Sequence, residues 1–227
     1  MIPCIIPARG NSKGIPRKNL VDVGGKPLIA WSIEQAQATP SIDEVIVLSD
    51  SDEILEFARG MGATAWRRSP ESATDDAPSE AGLIEVVSNH RYDKSGAVVF
   101  LQATSPIRQP DDIETAINHF REVKADSLFS GRRIEGYTWD ASGRVLAPRD
   151  GSRKPRQAEK RENIEENGSI YIFKPWVLLQ FGNRLGGKVI PYVMHPLDSF
   201  QIDEPEDIPL IESLMEVRLG HYQAASC

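Results

Sequence analysis

Residues 5–19, IIPARGNSKGIPRKN, set Arg9, Lys13, Arg17 and Lys18 in one stretch with no acid among them. The stretch follows an apolar run that stops at Pro7, on a chain whose formal net charge is −7. Gly10 and Gly14 allow close backbone approach, and successive amide N–H groups in such a loop form an anion-binding nest. Arg9 offers a two-pronged donor for phosphate oxygens, and Lys13 and Lys18 add point charges. A polyphosphate suits this set; a plain basic surface turn is the alternative. Neither G-x-x-x-x-G-K-[ST] nor G-x-G-x-x-G is present, which excludes a P-loop kinase.

Three further segments carry polar groups after apolar runs. Gln102, Thr104 and Ser105 in LQATSPIR offer donors and acceptors for a polar sugar, although a helix-capping turn reads equally well. Asp203 in FQIDEPED suits Mg²⁺, which prefers carboxylate, phosphate and water oxygens. Glu206 and Asp207 read instead as acids at a helix N-terminus. Asp50 ends another apolar run.

The elements that must position these groups alternate. Strand patterns at IPCIIPA, DEVIVLSD, TAWRR, GAVVFLQA, DSLFSGRR, GSIYIFKP and VIPYVM are separated by helical patterns at 28–39, 51–62, 80–90, 110–123 and 204–219. Alternation of this kind predicts an α/β fold with a mainly parallel sheet and right-handed crossovers. Ligands bind beyond the carboxyl ends of such strands, where the candidate segments fall. Residues 131–166 break the rhythm. WDASGRVLAP reads as a hairpin around Gly143, and RDGSRKPRQAEKREN is either a solvated loop or a segment reaching a substrate or partner subunit. One domain over 1–219 is expected, with 131–166 inserted and 220–227 a flexible tail.

Bulk properties limit the function. Apolar residues make up 40% and charged residues 26%, ordinary for a globular protein. Net acidity argues against a general nucleic-acid surface. No apolar run reaches the roughly 20 residues of a membrane span, and Met1-Ile2-Pro3, without a basic n-region, leads to the expectation of no signal peptide. Cys4 and Cys227 suggest no structural disulfide, which suits a cytoplasmic setting. His90, His119, His195 and His221 are scattered rather than set at zinc spacing.

Taken together, IIPARGNSKGIPRKN, LQATSPIR, ENGSIYIF and FQIDEPEDI resemble the acylneuraminate cytidylyltransferases, and the likeness runs over residues 2–215. The resemblance implies a Rossmann-like, glycosyltransferase-A-like nucleotidyltransferase acting as a homodimer with one or two Mg²⁺ ions. It couples CTP to a 2-keto-3-deoxy acidic sugar, a sialic or related nonulosonic acid, giving CMP-sugar and pyrophosphate. It implies nucleotide binding by Ala8, Arg9, Gly10, Asn11, Ser12, Lys13, Lys18, Asn19, Arg68 and Ser79. Within that set, Arg9, Lys13 and Lys18 act on the transferring phosphates. It further implies sugar binding by Gln102, Thr104, Ser105, Tyr171, Gln201 and Arg156, the last crossing a dimer interface, and metal binding by Asp203. The chain departs from the family at Gln201, where an Asp is usual, at Ala103 for Pro, and at Arg184-Leu185 for an aromatic pair. A 3-deoxy-octulosonate-like or other sugar, or a non-catalytic CTP-binding regulator, are the alternatives.

Overall fold

The computed structural model of the chain describes residues 1–10, 12, 14–72, 78–89, 92, 94–134, 139–144 and 163–220. Asn11, Lys13 and Arg156, most of the charged excursion and residues 221–227 of the tail lie outside these.

Three short apolar runs, β1 (Pro3–Pro7), β4 (Glu44–Ser49) and β6 (Val98–Leu101), are buried almost throughout. Such runs suit parallel strands covered on both faces. Successive residues face opposite layers: Ile6 joins Ile29, Ile33, Ile54, Ile113 and Ile117, whereas Ile5 joins Leu83, Val86, Phe173 and Leu178. Helices α1 (Leu28–Gln37), α2 (Asp52–Gly60) and α4 (Asp112–Glu122) therefore cover one face. Helices α3 (Ser79–Val87) and α5 (Pro175–Phe181) cover the other.

With β5 (Thr64–Arg67), β7 (Ser127–Ile134), β8 (Asn163–Phe173) and β9 (Val189–Val193), the sheet has seven strands in the order β5-β4-β1-β6-β8-β7-β9. The pairs β4/β5, β1/β4, β1/β6 and β7/β9 are parallel. β8 alone among the described strands of this sheet runs against its neighbours, β6 and β7. The reason is its connection: the chain leaves β7, makes the excursion, and returns beside it, as a hairpin does. β8 also begins five residues earlier than its GSIYIFKP pattern suggests. Its Asn163–Glu165 segment pairs with Arg132–Ile134 of β7 as a ribbon leading to the excursion. Of the expected hairpin around Gly143, residues 139–144 are described: they form a turn with Gly143 at φ 81°.

Two elements escape the sequence patterns: α5, opened by Pro175 and closed by left-handed Gly182, and a small hairpin of β2 (Asp22–Val23) and β3 (Lys26–Pro27). Helix α6 (Asp207–Arg218) closes the described chain. Among the described residues, no helix is long and apolar enough to cross a membrane.

A third apolar cluster bears on the site. Ile15 from the basic stretch, Ile107 from the turn after β6 and Ile202 beside Asp203 pack together with Leu28, Ile211 and Met215. Three loops distant in sequence are thus tied to one small core.

Candidate active site

β1 and β6 are adjacent and parallel, so the loops after Pro7 and Leu101 leave the sheet at the same end. β8 arrives there from the opposite direction, bringing Asn167-Gly168 to that end. Between them opens a cleft of about 450 Å³. Arg9, Ser12, Gly14, Lys18 and Asn19 line it from the first loop, Arg68 and Ser79 from the second face, and Gln102, Ala103 and Thr104 from the loop after β6. Gln201, Asp203 and Glu204 complete it, with Pro7 and Phe100 at the strand ends.

Each group is held from behind. Asn19 donates Nδ2–H to the Arg9 carbonyl at 2.9 Å, and Gly10 N–H donates to Asp50 Oδ1 at 2.8 Å. A Cβ on Gly10 would lie 2.8 Å from that of Ser51, so the loop passes too close for a side chain. A 3₁₀ turn, Lys18–Leu20, starts after Arg17, whose φ of 56° is left-handed. It aims Lys18 across the cleft: Nζ donates to the Ile202 carbonyl at 3.1 Å and to Asp203 Oδ1 at 3.0 Å. The Lys18 side chain is 14% exposed and that of Asp203 66%, so the carboxylate remains open to a further cation.

Arg68 is buried against Gly82, where a Cβ would come within 3.2 Å of Arg68 Nε. Its Nη2 donates to the Ser72 carbonyl. Burial first, and the nearby charge of Arg9 second, hold the Arg68 guanidinium below its usual pKa. Two cations brought together in this way favour an anion between them.

At the other side, Gln201 is spanned rather than loose. Its Nε2 donates to the Asn167 carbonyl at 2.5 Å, and its Oε1 accepts from Thr104 Oγ1 at 3.4 Å. Asn167 is fixed in turn: Ser130 Oγ and Ser169 N–H donate to its Oδ1 at 2.6 and 3.1 Å, and its Nδ2 donates to Ser199 Oγ at 3.0 Å. Ser130 sits at the bulge in the β7/β8 ladder, where its hydroxyl also accepts from Ile170 N–H at 2.7 Å. The bulge thus aims Asn167-Gly168 at the cleft.

Several expected residues stand elsewhere. Ala8 is buried and its N–H donates to the Leu48 carbonyl, so it contributes chain direction, not a side chain. Gly10 and Ser105 lie behind the cleft lining; Ser105 N–H donates to the Gln102 carbonyl at 3.2 Å. Tyr171 pairs with Phe100 in register, their rings edge-on at 5.6 Å, and its hydroxyl donates to Glu166 at 2.8 Å. Burial, then that bond, push the Tyr171 phenol up to about 12, so it stays a donor at neutral pH. The Arg184 guanidinium covers the Tyr171 and Phe100 rings at 4.4 and 4.9 Å and pairs with Glu80 at 3.0 Å. Phe100 and Glu204 were not legible as site residues: one reads as strand core, the other as a helix-leading acid.

Asp207 does more than face a helix dipole. Its Oδ2 accepts from the N–H groups of both Asp203 and Glu204 at 2.8 Å, fixing the loop that carries the two acids. Those bonds hold its carboxyl below the usual range.

The cytidylyltransferase family profile matches residues 3–225. The chain belongs to the cytidylyltransferase family. An N-acylneuraminate cytidylyltransferase A from Danio rerio is 33% identical over 228 residues, covering 97% of this chain and 52% of its own length. A CMP-N,N'-diacetyllegionaminic acid synthase from Legionella pneumophila is 30% identical over 228 residues, covering 95% of this chain and 97% of its own. This family member spans about half the length of its fish relatives. Its fold is shared with a CMP:2-keto-3-deoxy-manno-octonic acid synthetase structure complexed with CTP. That match has a TM-score of 0.71 at 20% identity and covers 94% of this chain and 98% of the other.

Proposed function

We propose that the cleft binds CTP and transfers its cytidylyl group to the anomeric hydroxyl of a 2-keto-3-deoxy acidic sugar of the nonulosonic class, releasing pyrophosphate. The observation that carries this reading is the polarity of the cleft: Arg9, Lys18 and Arg68 on one side, Gln102, Thr104 and Gln201 on the other, with Asp203 and Glu204 at the rim. The Danio rerio relative is named for N-acylneuraminate and the Legionella pneumophila relative for a diacetyllegionaminic acid.

The sugar oxygen attacks the α-phosphorus in line. The new bond is sugar O–Pα, the bond to the β-phosphate bridging oxygen breaks, and the hydroxyl proton passes to solvent. Gln201 is an amide engaged at both ends and takes no proton. Arg9 and Lys18 offset the charge that develops on departing pyrophosphate, and a preorganised cradle of this kind does most of the work in phosphoryl transfer. Asn19 and the Gly10 amide bond hold the loop in place.

The donor set fits Mg²⁺. Asp203 is exposed on the rim and Glu204 adjoins it. Mg²⁺ held by one or two carboxylates would complete its shell with phosphate and water oxygens. When bound, that ion would neutralise phosphate charge beside Asp203.

The functional unit in this reading is a homodimer working in the cytoplasm; Arg156, expected to cross its interface, lies outside the described residues. Light scattering should give about twice 25.2 kDa. The deciding experiment incubates the protein with CTP, Mg²⁺ and a panel of keto-deoxy acids, including octulosonate-like ones, and reads CMP-sugars by mass. A CMP-nonulosonate with matching pyrophosphate is expected. A product from the octulosonate-like acids alone would move the substrate class, and CTP binding without any pyrophosphate release would make the protein a nucleotide-binding regulator.

A further inference from the structure

Arg108 ends the LQATSPIR segment, yet it turns away from the cleft. Its residue is 1% exposed, the bulkiest of the fully buried side chains among the described residues. Nη1 donates to Ser32 Oγ at 3.1 Å and Gln35 Oε1 at 2.8 Å, both on α1. Nη2 donates to the carbonyls of Gln102 and Ser169, each at 2.9 Å. Nε has no acceptor among the described residues. All four acceptors are neutral. Cys4 lies near, but burial pushes its thiol up to about 12, so it supplies no anion; the Asp112 carboxylate acts on the guanidinium through space without a hydrogen bond to it. Burial lowers the guanidinium to about 10, which leaves it charged at neutral pH.

A buried cation with no carboxylate bonded to it is expensive, and apolar packing fills the same volume more cheaply. The position of its acceptors suggests what the cation does instead. Of the two residues whose carbonyls it holds, Ser169 directly follows Gly168, at φ 70°, and Gln102 sends its side chain to the same glycine. Gln102 Oε1 lies 2.7 Å from where a Gly168 Cβ would stand, and Gln201 Nε2 closes on the same point. Arg108 therefore fastens the turn after β6 to the part of β8 beside Gly168, against which both cleft amides are packed. One planar fork holds α1, the turn after β6 and β8 at fixed separation.

We propose that Arg108 is a positioning residue that sets the Gln102 and Gln201 amides for the acidic sugar. The proposal rests on the cytidylyl-transfer reading above, and its test has one readout that needs no turnover. The side-chain amide signals of Gln102 and Gln201, assigned with Gln102→Leu and Gln201→Leu, are compared by NMR in wild type, Arg108→Gln and Arg108→Lys. In parallel, KM and kcat are measured for the sugar and for CTP. Arg108→Gln should shift or broaden both amide pairs and raise sugar KM about tenfold, with CTP KM within about twofold. Arg108→Lys keeps the charge but cannot serve four acceptors, so its sugar KM should rise about threefold, with smaller shifts.

Wild-type amide signals in folded Arg108→Gln would overturn the proposal, as would an equal rise in both KM values or a lowered Tm with both unchanged. Should Arg108→Gln fail to fold, wild-type signals and KM in Arg108→Lys overturn it. If wild-type protein turns over no acid sugar, the functional reading fails, and the amide signals alone decide whether Arg108 places the two glutamines.

Discussion

Lys18 bridges two loops by one ammonium, and its bonds to the Ile202 carbonyl and Asp203 link the basic stretch to the acidic rim. Lys18→Ala should lower kcat/KM for CTP by about 10²-fold or more. Stability should fall by about 1 kcal/mol, mostly from the lost bond to the Ile202 carbonyl, because Asp203 is largely solvated and that pair is screened. Steady-state kinetics beside a urea titration checks both, and wild-type turnover in that variant would remove Lys18 from the chemistry. Gln201→Asp tests the departure from the family pattern. A shorter carboxylate cannot donate to the Asn167 carbonyl, so about 1–2 kcal/mol of stability should be lost in urea, together with altered pH or metal dependence of turnover. At this scale the cations were legible because Arg and Lys announce anion chemistry by type. Phe100 was not, because an aromatic inside VVFL is indistinguishable from core. The amide clamp at Gln201 was hidden too, since its partners Asn167 and Thr104 become neighbours through the sheet alone.

Loops carry most of the site, and the basic one is braced by contacts that a single atom would spoil. A Cβ on Gly14 would collide with the Asp203 carbonyl and lie 3.2 Å from the Glu204 carboxylate oxygens. Gly14→Ala should therefore push the two loops apart and weaken CTP binding about tenfold, read by calorimetry; unchanged affinity would mean that the loops need not touch. Asp207 braces the same loop by charge. Its folded pKa is depressed, so its contribution is present above the unfolded value of about 3.9 and is lost as pH falls through the lower folded value. Asp207→Ala should cost about 1 kcal/mol at pH 7 and flatten the stability profile below about pH 4, measured by denaturation across pH. Five of the six α-helices among the described residues and seven strand patterns were legible from periodicity and caps. Helix α5 was missed because seven residues are too few to show a period. The direction of β8 was missed because alternation of side chains is the same whichever way a strand runs.

The whole molecule offers a test that is independent of turnover. If CTP binds the folded cleft alone, Mg²⁺ and CTP at about 100 times Kd should add about 2.7 kcal/mol, or about 5–10 °C in Tm for a chain of this size. A thermal scan showing no shift would argue against the nucleotide. Strand order has its own consequence, at the ribosome. β5, β4, β1 and β6 come from the first 101 residues and can pair as a parallel unit as soon as they emerge. β7 cannot dock on them, because its place beside β6 is kept for a strand that follows the excursion. Translating the chain from Leu101 to Phe173 takes about 4–14 s, during which the nascent protein shows β6 with an unpaired edge. The same inversion that delivers Asn167-Gly168 to the cleft leaves this newborn chain dependent on whatever shields Val98–Leu101 until β8 arrives.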